Sequence, residues 1–499
     1  MSRRLSLLAS FILLLFVVVA GQSAYVQYFH AGALTASPQN PRNNSVTASA
    51  PRGEILAADG SILADSLPTS ASGTTFQREY PQGNLTAGVV GFISPYYSVW
   101  GLEQQYNSYL TAHAQPAQNF EQVLAPTTAA DNVQTTLYPE LQKIAQNAMA
   151  GQDGAAVVFQ PQTGAVMAMY SNPTYEPELM ATTNHNAAVA EWNKINKKDA
   201  DGFPPLGLVA TQQTFPPGST FKVLTTASAV NYKPALLTKY YPKNNYMIPP
   251  TSTLKLYNDG FSACGGTVAV MLPASCDPGY ALLGLDIGAT DLTKTANSFG
   301  YNSRIPLDFP NVQTSFFPSA ASLKYNLPFV AYSAIGQGDV RATALQQALV
   351  ASAIADGGKI MTPHFMSTII GPDGTIAKKY VDSVWKTPLT TAETNQIVPL
   401  MQGVVQHGTA YGEFLPQDDV AAKTGTAQTG NPKANTDDWM IAFAPATHPT
   451  VAVAVVMPFQ NVNNLGATVA GPVVNCLIQG ALAIQAGQHF SMTGSTCPT

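Results

Sequence analysis

Pro217-Gly218-Ser219-Thr220-Phe221-Lys222 sets a serine and a lysine three residues apart, so on a helix the two side chains share one face. Pro216 and Pro217 suit a first helical turn, and Gly218 lets the backbone bend into it. Ser219 is thereby expected at a helix N-terminus, where unpaired backbone N–H groups favour developing negative charge. A serine with a basic group on the same face is a nucleophile and base unit for acyl transfer. Short polar pairs also recur by chance on exposed helices, so the pair takes its meaning from what accompanies it.

Two further segments accompany it. Ser275-Cys276-Asp277 lies downstream, and Lys423-Thr424-Gly425-Thr426 lies later, inside the run from Val420 to Gln428. Ser-x-x-Lys, a Ser-x-Asn-like triplet and Lys-Thr-Gly then stand in the motif order of penicillin-binding proteins and serine β-lactamases. Taken singly each has a plainer reading: Ser275 as a turn or cap serine, Thr424 and Thr426 as alternating strand residues, Gly336 and Gly338 as permissive loop positions. The two loop glycines are left outside the expected site.

The composition bounds the alternatives. With 499 residues the chain is long enough for two or three domains, and 45% hydrophobic residues can bury a large core. Only 11% of residues are charged, the net charge is −5, and the 24 Lys and Arg are scattered, which excludes nucleic acid as a partner. Isolated histidines and the lack of Cys-x-x-Cys or His-x-x-x-His spacing give no metal site, and no phosphate-binding Gly-x-x-x-x-Gly-Lys loop occurs. No cofactor is expected.

Arg3 and Arg4 precede an apolar run from Leu5 to Ala20, extended through Tyr25 and Val26 with no charge before Arg42. This predicts a cytoplasmic tip and single transmembrane anchor over residues 1–28, with the rest of the chain extracytoplasmic. A cleaved signal peptide ending near Val18-Val19-Ala20 is the alternative, with the same outcome for the remainder. Four cysteines allow three pairings; in an oxidising compartment Cys264 with Cys276, beside Ser275, is the expected one. Unpaired cysteines packed as small apolar residues are the alternative.

Pro-, Ser- and Thr-rich stretches at Thr35 to Ala50 and Ala114 to Asn132 bracket a small module over residues 29–131, in which Ile55-Leu56 and Ile62-Leu63-Ala64 flank an Asp-Gly turn as a hairpin. The large domain is expected over 132–490, with a tail at 491–499. It opens with a helix at Leu141 to Met149 and a hairpin of Ala155 to Phe159 with Ala165 to Tyr170. Strand-like runs at Ala421 to Gln428, Trp439 to Ala444 and Val451 to Met457 follow a helical middle, before a helix at Val473 to Ile484. The expected class is α+β multidomain, with one antiparallel sheet built from both ends of the large domain and covered by helices.

Pro51-Arg52-Gly53, Gly101 to Tyr106, Gly164 to Pro173, Pro216 to Lys222, Gly336-Gln337-Gly338, Ala355 to Gly358, Lys423 to Gln428 and Phe443-Ala444-Pro445 resemble, in order and spacing, the class B penicillin-binding proteins. The short N-terminal module resembles that of the actinobacterial penicillin-binding protein A group. The resemblance covers nearly the whole chain. It implies a pedestal module, a transpeptidase domain with a five-stranded antiparallel sheet, and peptidoglycan stem peptides ending in D-Ala-D-Ala as substrate. It also implies acylation of Ser219 by β-lactams, and as partners a SEDS-type membrane glycosyltransferase and other cell-wall assembly proteins.

In this reading Ser219 attacks an amide carbonyl, Lys222 takes its proton, and Lys423 lowers the pKa of Lys222 by like-charge repulsion. Backbone N–H groups of Ser219 and Thr426 form the oxyanion hole, and Gly425 leaves room for substrate along the strand edge. Ser275 joins the catalytic set; Lys423, Thr424 and Thr426 hold the substrate carboxylate. Asp277 departs from the family's asparagine, and Pro278-Gly279 follow in place of a helical continuation. An ionised aspartate only accepts hydrogen bonds, and beside Lys222 it would hold that lysine protonated. Asp277 is then turned away, or protonated, or the enzyme is slowed. A penicillin-binding scaffold or sensor with weak turnover is therefore the second reading. A β-lactamase is the third, and it lacks an evident Glu-x-x-x-Asn between Ser275 and Lys423 to supply a deacylating base.

Overall fold

The structure is a computed structural model that describes residues 3–26, 51–69, 76–114, 128–199, 202–429, 435–461, 464–490, 492 and 497. Its centre is an antiparallel sheet of five strands in the order Ala165–Asn172, Gly154–Gln160, Val451–Asn461, Asn435–Ala444 and Ala421–Gln428. The first two strands come from the start of the large domain and the other three from its end, the assembly that the apolar runs predict. The runs are nearly continuous because both faces of the sheet are covered.

Alternate residues serve opposite faces. Val157, Phe159, Ile441, Phe443, Ala452 and Ala454 pack into one core together with the helix Ala344–Ala355, which is buried along its whole length. Val158, Met440, Ala442, Val453 and Val455 pack into the other, with the helices Pro139–Met149 and Gly466–Gln485. The latter helix is long and apolar enough to cross a membrane, yet two thirds of its most apolar stretch is buried. Val474, Leu477 and Ile478 are shielded completely in the sheet core, so it is a core helix. At the N-terminus the helix Arg3–Tyr25 runs for 23 residues, with residues 10–25 exposed.

The small module forms a second sheet. Ile55–Leu56 pairs antiparallel with Ile62–Pro68, giving the expected hairpin, and lies parallel to Asn132–Thr135. That strand in turn pairs with Met366–Ile370. The expected boundary at Asp131 therefore falls at the margin of a six-stranded sheet whose strands come from both sides of it. The helix carrying Gly101–Gln105 closes the module. Its Glu103, fully shielded from solvent, accepts from Arg52 Nε at 2.6 Å and Arg78 Nε at 2.6 Å. Burial pushes the Glu103 carboxyl up, but the two guanidinium groups prevail and hold it below the ordinary value. Tyr106, just beyond that helix, donates its hydroxyl to Asp308, whose carboxylate also accepts from Phe365 N at 2.7 Å and Met366 N at 2.9 Å, so the module is fastened to the large domain.

Removing one partner of a buried ion pair strands the other charges, so Glu103→Ala should lower unfolding free energy by about 3–5 kcal/mol. Urea denaturation measures this directly. A loss below about 1 kcal/mol would mean that the two arginines reach solvent or other acceptors.

Candidate active site

Gly218–Phe221 forms a single 3₁₀ turn that runs directly into the α-helix Lys222–Tyr232. Ser219 stands at the start of this turn, 4% exposed, and Lys222 on the next turn is fully buried. Three glycines let the turn dock. Gly218 has φ +53°, and a Cβ on it would sit 2.9 Å from Thr426 O. Gly336 has φ +72°, accepts from Gly218 N at 3.0 Å, and would drive a Cβ to 2.2 Å from Gly218 O. Gly336 thus backs the nucleophile turn, which its reading as a loop glycine missed. At Gly425 a Cβ would meet Pro217 O and Thr220 Cγ2, both at 2.9 Å. The missing side chain there makes room for the nucleophile turn.

The second motif enters from the turn preceding the helix Asp277–Ile287. Pro278 and Gly279 lie in its first turn, where proline lacks only an N–H that has no intrahelical acceptor, so the helix does continue past Asp277. Ser275 adopts φ +53°, and a disulfide joins Cys264 to Cys276 next to it. A second disulfide joins Cys476 to Cys497. The backbone N–H of Asp277 donates to Asn258 Oδ1 at 2.9 Å, which pins the turn Asn258 to Phe261 against the motif. Sequence reading gave no sign of that turn, because its partner lies 19 residues away.

Two lysines converge on Ser275. Lys222 Nζ donates to Ser275 O at 2.6 Å and to Asp277 Oδ1 at 2.7 Å, with Ser275 Oγ at 3.4 Å. Lys423, also fully buried on the edge strand, donates from Nζ to Ser275 Oγ at 2.9 Å and to Thr424 O at 2.8 Å. Asp277 is therefore not turned away; it forms an ion pair with Lys222. Burial first, and then the Lys222 ammonium, push Lys423 well below the ordinary lysine range, against the pull of Asp277 and Asp259. Asp259 is an exposed residue, yet the protein packed around it and the Asp277 carboxylate raise it to about 6, against Lys222 and Lys423.

Further along the strand, Thr424 Oγ lies 2.6 Å from Thr409 Oγ, and Thr426 Oγ accepts from Gly466 N at 3.1 Å. Thr409 N also donates to Pro273 O at 3.1 Å, so one residue ties the second motif's approach to the third motif's strand. The structure thus brings Lys222, Ser275, Asp277 and Lys423 into one cage, with the turn that carries Ser219 docked beside Gly425 and Thr426 on the Lys423 strand. It adds Asn258, Asp259, Gly336 and Thr409. Among the described residues no group of acidic, histidine or cysteine side chains is arranged to hold a metal.

The penicillin binding protein transpeptidase domain family matches residues 154–479, and the penicillin binding protein A dimerisation domain family matches residues 52–134. The chain is 34% identical to a peptidoglycan D,D-transpeptidase PbpA of Mycolicibacterium smegmatis, over 97% of this chain and 99% of that one. It is 32% identical to a PbpA of Mycobacterium tuberculosis, over 94% and 97%. A ceftriaxone acyl-enzyme complex of M. tuberculosis penicillin-binding protein A superposes with TM-score 0.78 at 31% identity, over 89% of this chain and all of that one. With a nucleophile turn, a lysine cage and a Lys-Thr-Gly edge strand on the shared fold, the chain belongs to the class B penicillin-binding proteins, the serine D-Ala-D-Ala transpeptidases of peptidoglycan synthesis.

Proposed function

We propose that Ser219 is the nucleophile and that its proton passes through the Ser275 hydroxyl to Lys423. The observation that carries this is the position of Ser275 Oγ, 2.9 Å from Lys423 Nζ and 3.4 Å from Lys222 Nζ. Burial weakens the hold of Lys423 on its proton, and a general base must be neutral to act. Lys222, engaged with Asp277 as the cationic half of an ion pair, offers no lone pair in that state. It supplies positive charge one turn from the Ser219 alkoxide instead. Backbone N–H groups of Ser219 and Thr426 receive the oxyanion, a contribution of about 3 kcal/mol per donor in comparable sites.

The donor is the D-Ala-D-Ala end of a stem peptide, laid along the Lys423 strand with its carboxylate at Thr424 and Thr426. The Thr424 hydroxyl can turn from Thr409 to the carboxylate, and that of Thr426 is free to donate while it accepts from Gly466 N. Loss of D-Ala leaves an acyl-Ser219 ester, and a neighbouring stem peptide's amine completes the cross-link. β-Lactams acylate Ser219 by the same attack. The helix Arg3–Tyr25 supports a single-pass anchor: 23 residues span about 34 Å at 1.5 Å each, and the arginines at its start keep that end cytoplasmic. A SEDS-type glycosyltransferase and other assembly proteins are the partners that this placement permits.

The Lys222–Asp277 contact at 2.7 Å favours a second reading, a penicillin-recognising sensor of weak turnover. Donor and acceptor peptides separate the two: cross-linked product identifies the transpeptidase, whereas penicillin labelling without product identifies the sensor.

Ser219→Ala should abolish labelling by a fluorescent penicillin. Asp277→Asn removes a charge that keeps Lys423 protonated, so its second-order acylation constant should rise about tenfold, the equivalent of one pKa unit. A constant that falls would move the base assignment away from Lys423. Gly336→Ala forces a Cβ into the nucleophile turn at positive φ and should slow acylation by about a hundredfold, as misplacement of reacting groups does. Labelling at the wild-type rate, with the folded state checked by thermal melting, would show that the turn tolerates the added methyl.

A further inference from the structure

The transpeptidase reaction has a second substrate, an amine that reaches the site as an ammonium, and nothing in the cage just described receives it. Lys222 and Lys423 are basic side chains sealed from solvent, and Asp277 is committed to Lys222. The turn above them differs. Asn258 is locked to the start of the Asp277 helix, and Asp259 follows it at the surface, within electrostatic reach of Lys222, Lys423 and Asp277. Among the described residues the Asp259 carboxylate makes no hydrogen bond or ion pair, and only its backbone carbonyl is engaged, by Asn258 Nδ2 at 3.4 Å and Ser262 Oγ at 3.3 Å.

Aromatic rings stand on both sides of this carboxylate in the chain. Tyr257 and Phe261 meet edge to face at 5.1 Å although they are 42% and 68% exposed. Phe261 adopts φ +54°, a costly conformation for a bulky residue, and Gly260 before it has φ +61°. Tyr246 packs against Tyr257 at 5.6 Å and already carries a cation, Lys255 Nζ, 4.3 Å from its ring centre. A carboxylate flanked in the chain by exposed rings carries the chemistry that recognises an ammonium.

Resting on the transpeptidase reading above, we infer that Asp259, with Tyr257 and Phe261, forms the subsite that receives the primary ammonium of the acceptor peptide at the mouth of the acyl-enzyme. The ammonium gives one proton to the Asp259 carboxylate, and the neutral amine attacks the ester carbonyl carbon. The new C–N bond forms, the C–Oγ bond breaks, and Ser219 Oγ takes the amine's second departing proton. Asp259 then returns its proton to water. The raised Asp259 carboxyl suits this exchange, since it binds a proton more readily than an ordinary aspartate.

The test forms the acyl-enzyme from a D-Ala-D-Ala-type thioester donor and offers it a primary amine acceptor, here a D-amino acid amide, in competition with water. The ratio of aminolysis to hydrolysis is read within one acyl-enzyme and so does not depend on how fast Ser219 was acylated. Asp259→Asn should lower this ratio at least tenfold by raising the acceptor concentration needed for half-maximal aminolysis, and Asp259→Glu should recover most of it. A ratio within twofold of wild type in Asp259→Asn would overturn the subsite, as would an equal fall in Asp259→Glu. Fluorescent penicillin labelling of the same preparations reads the enzyme assignment separately. Labelled protein with an unchanged ratio sinks the subsite alone, whereas wild-type protein that does not label sinks both.

Discussion

The ion pair between Lys222 and Asp277 is the constraint around which the catalytic cage is built. Two ammonium groups buried side by side each lose water, and they repel one another through a poorly screening interior. The carboxylate of Asp277, 2.7 Å from Lys222 Nζ, compensates one of them. The other, Lys423, has Ser275 Oγ and the Thr424 carbonyl as its hydrogen-bond acceptors among the described residues, so burial works against its charge. In the proposed mechanism the lysine paired with Asp277 supplies positive charge and the other accepts the proton. The Ser275 hydroxyl lies between them, and its left-handed backbone, beside the Cys264–Cys276 disulfide, directs both its carbonyl and its hydroxyl at the lysines.

This division of labour depends on sub-ångström docking, which the fold supplies through backbone rather than side chains. The nucleophile turn is held between the Lys423 strand and the Gly336 loop, and at Gly218, Gly336 and Gly425 the space for a Cβ is already filled. The five-stranded sheet behind that strand is covered on both faces, so its edge cannot drift. Protein interiors are close-packed and transmit displacement, which makes the glycine contacts a condition of the chemistry rather than a detail of it.

Much of this was legible in the chain because it is local. The i, i+3 spacing of Ser219 and Lys222 and the alternation of Lys423 with Thr424 need no tertiary information, and apolar runs such as Val451 to Met457 report a sheet covered on both faces. What was not legible is non-local. Whether Asp277 faces Lys222 depends on where its helix begins, and Pro278-Gly279 read as an interruption when they form that helix's first turn. Asn258, Gly336 and Thr409 act on motifs 19, 118 and 15 residues away, as hydrogen-bond or backbone partners, a separation for which sequence carries no period. Pairing of Asn132–Thr135 with Met366–Ile370 likewise draws two expected domains into one sheet.

The pH dependence of Ser219 acylation by a penicillin tests the division between the two lysines most directly. Lys423 must be neutral to act, and its folded-state pKa lies below the ordinary lysine value of 10.5, so the rate should rise with pH and level off well below pH 10.5. Asp277→Asn, which removes an attraction that keeps Lys423 charged, should move that rise to still lower pH. A rate that does not change with pH, or a midpoint at the ordinary lysine value in both proteins, would contradict the account.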